Sequence, residues 1–217
     1  MKKTRLFSFL ALLLTAVVLL SACGSKKASA ENVTLGRLDG FTYTNSYLGI
    51  RLILDDSWQI LPVGDAQDLG QADASSLKGA ALTSYLQEHK QLFDLISTNV
   101  SDLTGVNVLY EALDEDKKAQ FAGRNSEYVI DYMVFNAGSV SENLAQSGIQ
   151  MENMEKISVS FLGKTVPTLK ISATMHGLDY YVLQIVDYRD NGVLVSIAIT
   201  SYIEDNTLAK LSLFEAL

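Results

Sequence analysis

The sequence predicts an α+β fold: a central antiparallel sheet that ends in a C-terminal meander, with helices packed on its faces. Two patterns predict it. In the last third, apolar residues alternate with polar ones over successive runs separated by short turns, which is the period of half-buried strands. Upstream, apolar residues recur at helical spacing, as in Val129, Tyr132, Met133, Ala137, Val140 and Leu144. Read in order, the chain gives a strand pair, helices, a second strand pair, a helix, the meander and a last helix.

The folded region starts near Leu35 and is read as a single domain over 35–217. Asp39-Gly40 and Asn45-Ser46 are turns around Phe41-Thr42-Tyr43-Thr44. Leu48 to Leu54 alternates Ile50, Leu52 and Leu54 against Arg51, and reads as a strand with one buried face. Asp55-Asp56-Ser57 turns into Trp58-Gln59-Ile60-Leu61, a short strand stopped by Pro62. Trp58, the single tryptophan, is expected to close the core under that turn.

Residues 64–91 read as helical. Gly64-Asp65 and Asp73 serve as caps, and Leu77, Ala81, Leu82, Tyr85 and Leu86 form the apolar stripe that ends beside His89. Leu92 to Thr98 and Val106 to Leu113 flank a turn at Ser101 to Gly105, a hairpin. Asp114-Glu115-Asp116 reads as a solvated turn or helix start, because the spaced oxygen ligands of a calcium loop are missing. Asn125-Ser126 caps a helix that runs to about Ser147-Gly148, with Gly138 as the place for a break or kink.

The meander follows: Lys156 to Phe161, a turn at Leu162-Gly163-Lys164, then Thr165 to Met175, Leu178 to Tyr188 and Val193 to Ser201. Asn191-Gly192 is a strong hairpin signal. Val193, Val195, Ile197 and Ile199 share one face, and Glu204-Asp205-Asn206 is expected to cap a final helix with Leu208, Leu211 and either Phe214 or Leu213 inward. His176 falls in a hairpin turn.

The N-terminus carries an address. Lys2, Lys3 and Arg5 precede an apolar run from Leu6 to Leu20, which is shorter than the ~20 residues a membrane-spanning helix needs. The run closes on Leu20-Ser21-Ala22-Cys23, which holds the only cysteine. This resembles the lipobox of bacterial lipoproteins. The resemblance implies a diacylglyceryl group on the Cys23 thiol and cleavage between Ala22 and Cys23. A thiol is the nucleophile that alkylates to a stable thioether, and Cys23 has no second cysteine to pair with. The competing readings are a plain secretory signal and an uncleaved anchor. Residues 1–22 are thus the leader, and 23–34 hold the lipidated cysteine and a small polar spacer, Gly24 to Ala30.

The full sequence has 17 basic and 25 acidic residues in 217, a formal charge of −8. Removal of the leader takes away three basic residues and no acid, which leaves 14 against 25 and a charge of −11. Such a chain has no basic nucleic-acid footprint and would be repelled by anionic headgroups. The expected membrane contact is therefore the lipid on Cys23, at the outer face of the cytoplasmic membrane. The further partner is an envelope protein or a small ligand.

Several pieces together resemble small lipoproteins of Gram-positive bacteria that carry a PsbP-like domain. They are Tyr43-Thr44-Asn45 and Leu48-Gly49-Ile50 before a strand, the turn into Trp58, the helix around Ser126-Glu127-Tyr128, the hairpin at Leu162-Gly163-Lys164 and the closing meander with its helix. The resemblance covers 36–217 and implies an antiparallel sheet sandwiched by helices. One departure is Asp55-Asp56-Ser57, where the family carries proline and glycine. The fold is shared by photosystem extrinsic subunits and a Ran-binding import factor, so it assigns no chemistry.

Catalytic material is sparse. His89 and His176 are the two histidines, and neither has zinc-ligand spacing. No nucleophile elbow or phosphate-binding glycine loop occurs. No catalytic residue, metal or cofactor is expected. If cations gather, Asp55-Asp56 and Asp114-Glu115-Asp116 are the places. The reading is a non-enzymatic, lipid-anchored binding or accessory module. A solute-binding lipoprotein of a transporter and a carboxylate-dependent hydrolase are the alternatives.

Overall fold

The computed structural model describes residues 33–61, 77–146 and 148–217. The leader, Ala22 and Cys23, the spacer and the caps proposed at Gly64-Asp65 and Asp73 lie outside the described residues.

In chain order the strands are β1 (Arg37–Asp39), β2 (Thr42–Asn45), β3 (Ile50–Ile53), β4 (Trp58–Leu61), β5 (Gln91–Asn99), β6 (Thr104–Ala112), β7 (Ile149–Phe161), β8 (Lys164–Met175), β9 (Leu178–Tyr188), β10 (Val193–Tyr202) and β11 (Phe214–Ala216). The helices are α1 (Ala80–His89), α2 (Glu115–Phe121), α3 (Ser126–Phe135) and α4 (Ala137–Gln146), and a 3-10 turn spans Ala209–Leu213. The strands make two antiparallel sheets, a large one in the order β4-β5-β6-β10-β9-β8-β7 and a small one in the order β1-β2-β3-β11. The fold is α+β, with the meander β7 to β10 as its longest run.

The two faces of the large sheet are covered differently. Val193, Val195, Ile197 and Ile199 of β10 pack with Tyr43, Ile50, Leu52 and Phe214 of the small sheet and with Leu82 and Leu86 of α1. Leu194, Ala198 and Tyr202 pack instead with Val129, Ile130 and Met133 of α3 and with Val140 and Leu144 of α4. Every residue of β6 and β10 is buried. Strands covered on both faces lose the polar half of the alternation, and β10 keeps only small polar residues at Ser196, Thr200 and Ser201.

Caps place the helices. The Asp114 carboxylate accepts from the Lys117 amide, and the Asn125 side chain accepts from the Tyr128 amide, each closing a first turn. The helix expected over 126–147 is two helices. It breaks at Asn136, whose side-chain amide donates to the Tyr132 carbonyl at 2.7 Å, and not at Gly138. The first meander strand starts at Ile149, earlier than Lys156. Gly148 turns the chain with φ +78, and most side chains of the strand's first half face water, so alternation did not mark them.

The closing helix is the largest correction. Asp205 caps Thr207 through its amide and hydroxyl, but only the 3-10 turn follows. The chain then extends as β11 and pairs Phe214 with Leu52. An edge-to-face contact with Phe161, with ring centroids 5.3 Å apart, seats Phe214 between the sheets. Burial of that ring against an open sheet edge overrides the weak helical preference of a short segment.

Candidate functional site

The helices α2, α3 and α4 do not seal completely against the large sheet. Between them lies a cavity of about 40 Å³. Its walls are mainly carbon, from Phe121, Met133, Val140, Leu169 and Leu194. Tyr132 and Asn136 are the half-buried wall residues, which puts the mouth at the joint between α3 and α4. Phe135, 88% exposed, stands at that same joint.

Besides Asn136 at the mouth, Gln184 and Lys117 interrupt the carbon walls. Gln184 on β9 is 7% exposed, and its side-chain amide donates to the Ser196 hydroxyl at 2.8 Å. Lys117 on α2 lies 3.6 Å from Glu111 of β6, and both are buried. Burial pushes the Glu111 carboxyl up to about 7; the charge of Lys117 opposes this without overcoming it. The pair is a balanced charge at the edge of an apolar space.

A second buried polar group lies on the other side of the sheet. β5 bulges at Asp94, because Phe93 pairs with Leu109 and Leu95 with Val108. The Asp94 carboxylate accepts from the Gly36 amide at 2.7 Å, the Tyr43 hydroxyl at 2.5 Å and the Asn45 amide at 3.0 Å. Asn45 also reaches the Tyr110 hydroxyl, which donates to the Thr34 carbonyl at 2.9 Å. Burial raises the Asp94 carboxyl and its three donors lower it, with a net rise. Tyr43 is raised well above its ordinary value by burial first and by Asp94 next. The network ties the small sheet and the chain entering it to the large sheet. Its donors all point at acceptors within the network, so it reads as a fastening and not as an open site.

The residues singled out in the sequence take mostly structural places. Trp58 is buried in the core, with the Lys210 ammonium 5.6 Å from its ring centre. His89 is exposed at the end of α1 and stacks on Tyr85 at 4.2 Å. His176 occupies an exposed turn with φ +52. Asp55 accepts from the amide and hydroxyl of Ser57, so it caps a turn, as Asp114 caps α2. Among the described residues no group of three or more metal-ligating side chains converges.

Sequence reading missed Gln184, Glu111, Lys117 and Asp94. A signal for Gln184 was present: it stands in the stripe Tyr180, Val182, Gln184, Val186, Tyr188, where every neighbour at period two is apolar or aromatic. Asp94, between Phe93 and Leu95, carried a similar one.

No protein-family model matches the chain, and no curated protein matches it in sequence. Among solved structures, the chain is similar to the solution structure of cyanobacterial PsbP (CyanoP) from Synechocystis sp. PCC 6803. The identity is 14%, the match covers 91% of this chain and 99% of that one, and the TM-score is 0.42.

Proposed function

We propose that the protein is a lipid-anchored, non-enzymatic binding module on the outer face of the cytoplasmic membrane. The lipid on Cys23 holds it there, and the cavity at the α3–α4 joint takes a small, largely apolar ligand. One observation carries the binding half: a carbon-walled space with a mouth and a few polar side chains, whose volume of about 40 Å³ takes a ligand of only a few non-hydrogen atoms. The Leu20-Ser21-Ala22-Cys23 sequence supports the anchor.

Each half has its own test. Cys23→Ser should abolish incorporation of labelled fatty acid while leaving the thermal melt of the domain unchanged. Labelling that survives the substitution would refute the anchor. For binding, a panel of sugars, amino acids and short amphiphiles is melted with the protein. A saturable rise in Tm is expected for the amphiphiles alone. Val140→Phe, which fills the space, should remove that rise, and a rise unaffected by Val140→Phe would place the ligand elsewhere.

A further inference from the structure

We propose that the protein pairs with a second copy of itself through the outer edge of β7, with residues 157–161 of the two chains antiparallel about a two-fold axis at Val159. The proposal is independent of the cavity.

β7 is the open edge. It ends the large sheet and, among the described residues, pairs with β8 alone. The other edge strands are short: β4 has four residues and β1 and β11 three each, whereas β7 has 13. Proteins normally blunt such edges with charge, proline or a bulge. The first half of β7 is protected in that way, by a bulge between Met151 and Asn153 and by Glu152, Glu155 and Lys156. The second half, Ile157-Ser158-Val159-Ser160-Phe161, has no charge, proline or glycine. It also has little support beside it. β8 meets β9 only from Leu169 onward, so Lys164 to Thr168 pair with β7 alone and the hairpin continues as a two-stranded ribbon. A ribbon of two strands is marginal by itself, and a further strand strengthens it.

Pro167 fixes which backbone groups are free. It stands opposite Ser158 and has no N–H, so this pair exchanges no hydrogen bonds. The N–H and C=O groups of Ser158, and of Ser160 two residues on, therefore point away from β8 into the open edge. Both serines are exposed. Pro167 also blunts the ribbon's far edge, which leaves β7 as the side that can accept a strand.

The segment is self-complementary, as a two-fold contact requires. With the axis at Val159, Ser158 of one copy lies opposite Ser160 of the other, and each such pair exchanges both backbone hydrogen bonds. Val159 meets its own copy, and Ile157 meets Phe161. These three side chains share the face turned to the small sheet, where Val159 and Phe161 are buried and Ile157 is half-buried. No like charges face each other, and Lys156 is already held by Glu127 at 3.1 Å and Asp131 at 2.6 Å. Axes nearer the start of the strand set Glu155 against Phe161, Val159 or itself, or Lys156 against itself.

The test uses the full chain in lipid vesicles at about 0.5 M salt, which screens two acidic chains from each other. A cysteine replaces Glu155 or Asn153, both exposed, and carries a spin label for pulsed dipolar spectroscopy. In the proposed register 155 falls opposite 163 and 153 opposite 165, so the label pairs should lie about 27 Å and about 40 Å apart at the rise and spacing of paired strands. Ser160→Pro removes an outward N–H that the single chain does not use. It is expected to abolish both distances and to leave the circular dichroism of the fold unchanged. If that variant does not fold, Ser158→Glu with Ser160→Glu, which sets carboxylates opposite each other, carries the same expectation. The parent chain, with Cys23 alone, is the blank; label on it would count against acylation of Cys23 and leave the pairing to be judged on the two distances. No defined distance, distances that fit another register, or distances unchanged in the folded variant overturn the proposal.

Discussion

At the scale of single residues, close packing leaves little freedom around Gly36. A Cβ there would lie 2.3 Å and 2.4 Å from carbons of the Tyr43 ring. Tyr43 cannot swing aside without breaking its 2.5 Å bond to Asp94. Gly36→Ala is expected to cost about 1–3 kcal/mol in urea unfolding, the usual cost of overpacking. Lys117 gives a prediction with a sign. The folded carboxyl of Glu111 sits at about 7, above its value of about 4.3 in an unfolded chain. Between those values the folded state holds the extra proton, so stability falls as pH rises through that window. Lys117→Met removes the counter-charge. It should destabilise most at pH 8, where the wild-type pair is ionised and the variant must take a proton onto the buried Glu111 carboxyl. At pH 5.5, where Glu111 is protonated, the cost should be much smaller. Urea unfolding at the two pH values checks this, and equal losses would contradict it.

At the scale of elements, the meander was readable and the closing segment was not. Asn191-Gly192 and Leu162-Gly163 mark tight turns, and the strands between them are long enough for alternation to show. Ile197, 4% exposed on β10, lies between the sheets. Ile197→Ala should therefore cost about 2–5 kcal/mol in urea unfolding. β11 has three residues, too few for any period. Its pairing with β3 depends on residues more than 150 positions earlier in the chain. Phe214→Ala should cost about 3–5 kcal/mol, because the ring fills the seam between the sheets. A loss below about 0.5 kcal/mol would mean that β11 is only a surface strand.

At the scale of the whole molecule, the acidic balance and the buried carboxylates act in the same direction. Net negative charge makes the folded state repel itself more as carboxylates ionise. Glu111 and Asp94 both resist ionisation through burial. Against them stand Asp102 and Asp205, whose carboxyls are held low by Lys210 and Lys170, their partners at 2.6 Å and 2.5 Å, despite partial burial. Those two ion pairs contribute stability above the unfolded aspartate value of about 3.9 that is lost as pH falls through their lowered values. The combination places the maximum of Tm at about pH 5–6, with a fall toward pH 8. Calorimetry across that range checks it. Salt should remove the part of the fall due to surface repulsion but not the part due to Glu111, which salt screens poorly.

The sequence by itself determined the local matters: the strands of the hairpins and most of the meander, a turn or helix start at Asp114, and the cap at Asn125. Each rests on a pattern within about fifteen residues, the range over which turn chemistry and side-chain period act. Only the tertiary structure decided that the first strands form a sheet of their own, that Phe214 closes it, and that the helices leave a space above Gln184. Those features depend on which surfaces meet across the fold. Burial then gives Gln184, Glu111 and Asp94 properties that the same residues would lack in water. Their positions inside apolar stripes were visible in the chain, but their partners were set by packing.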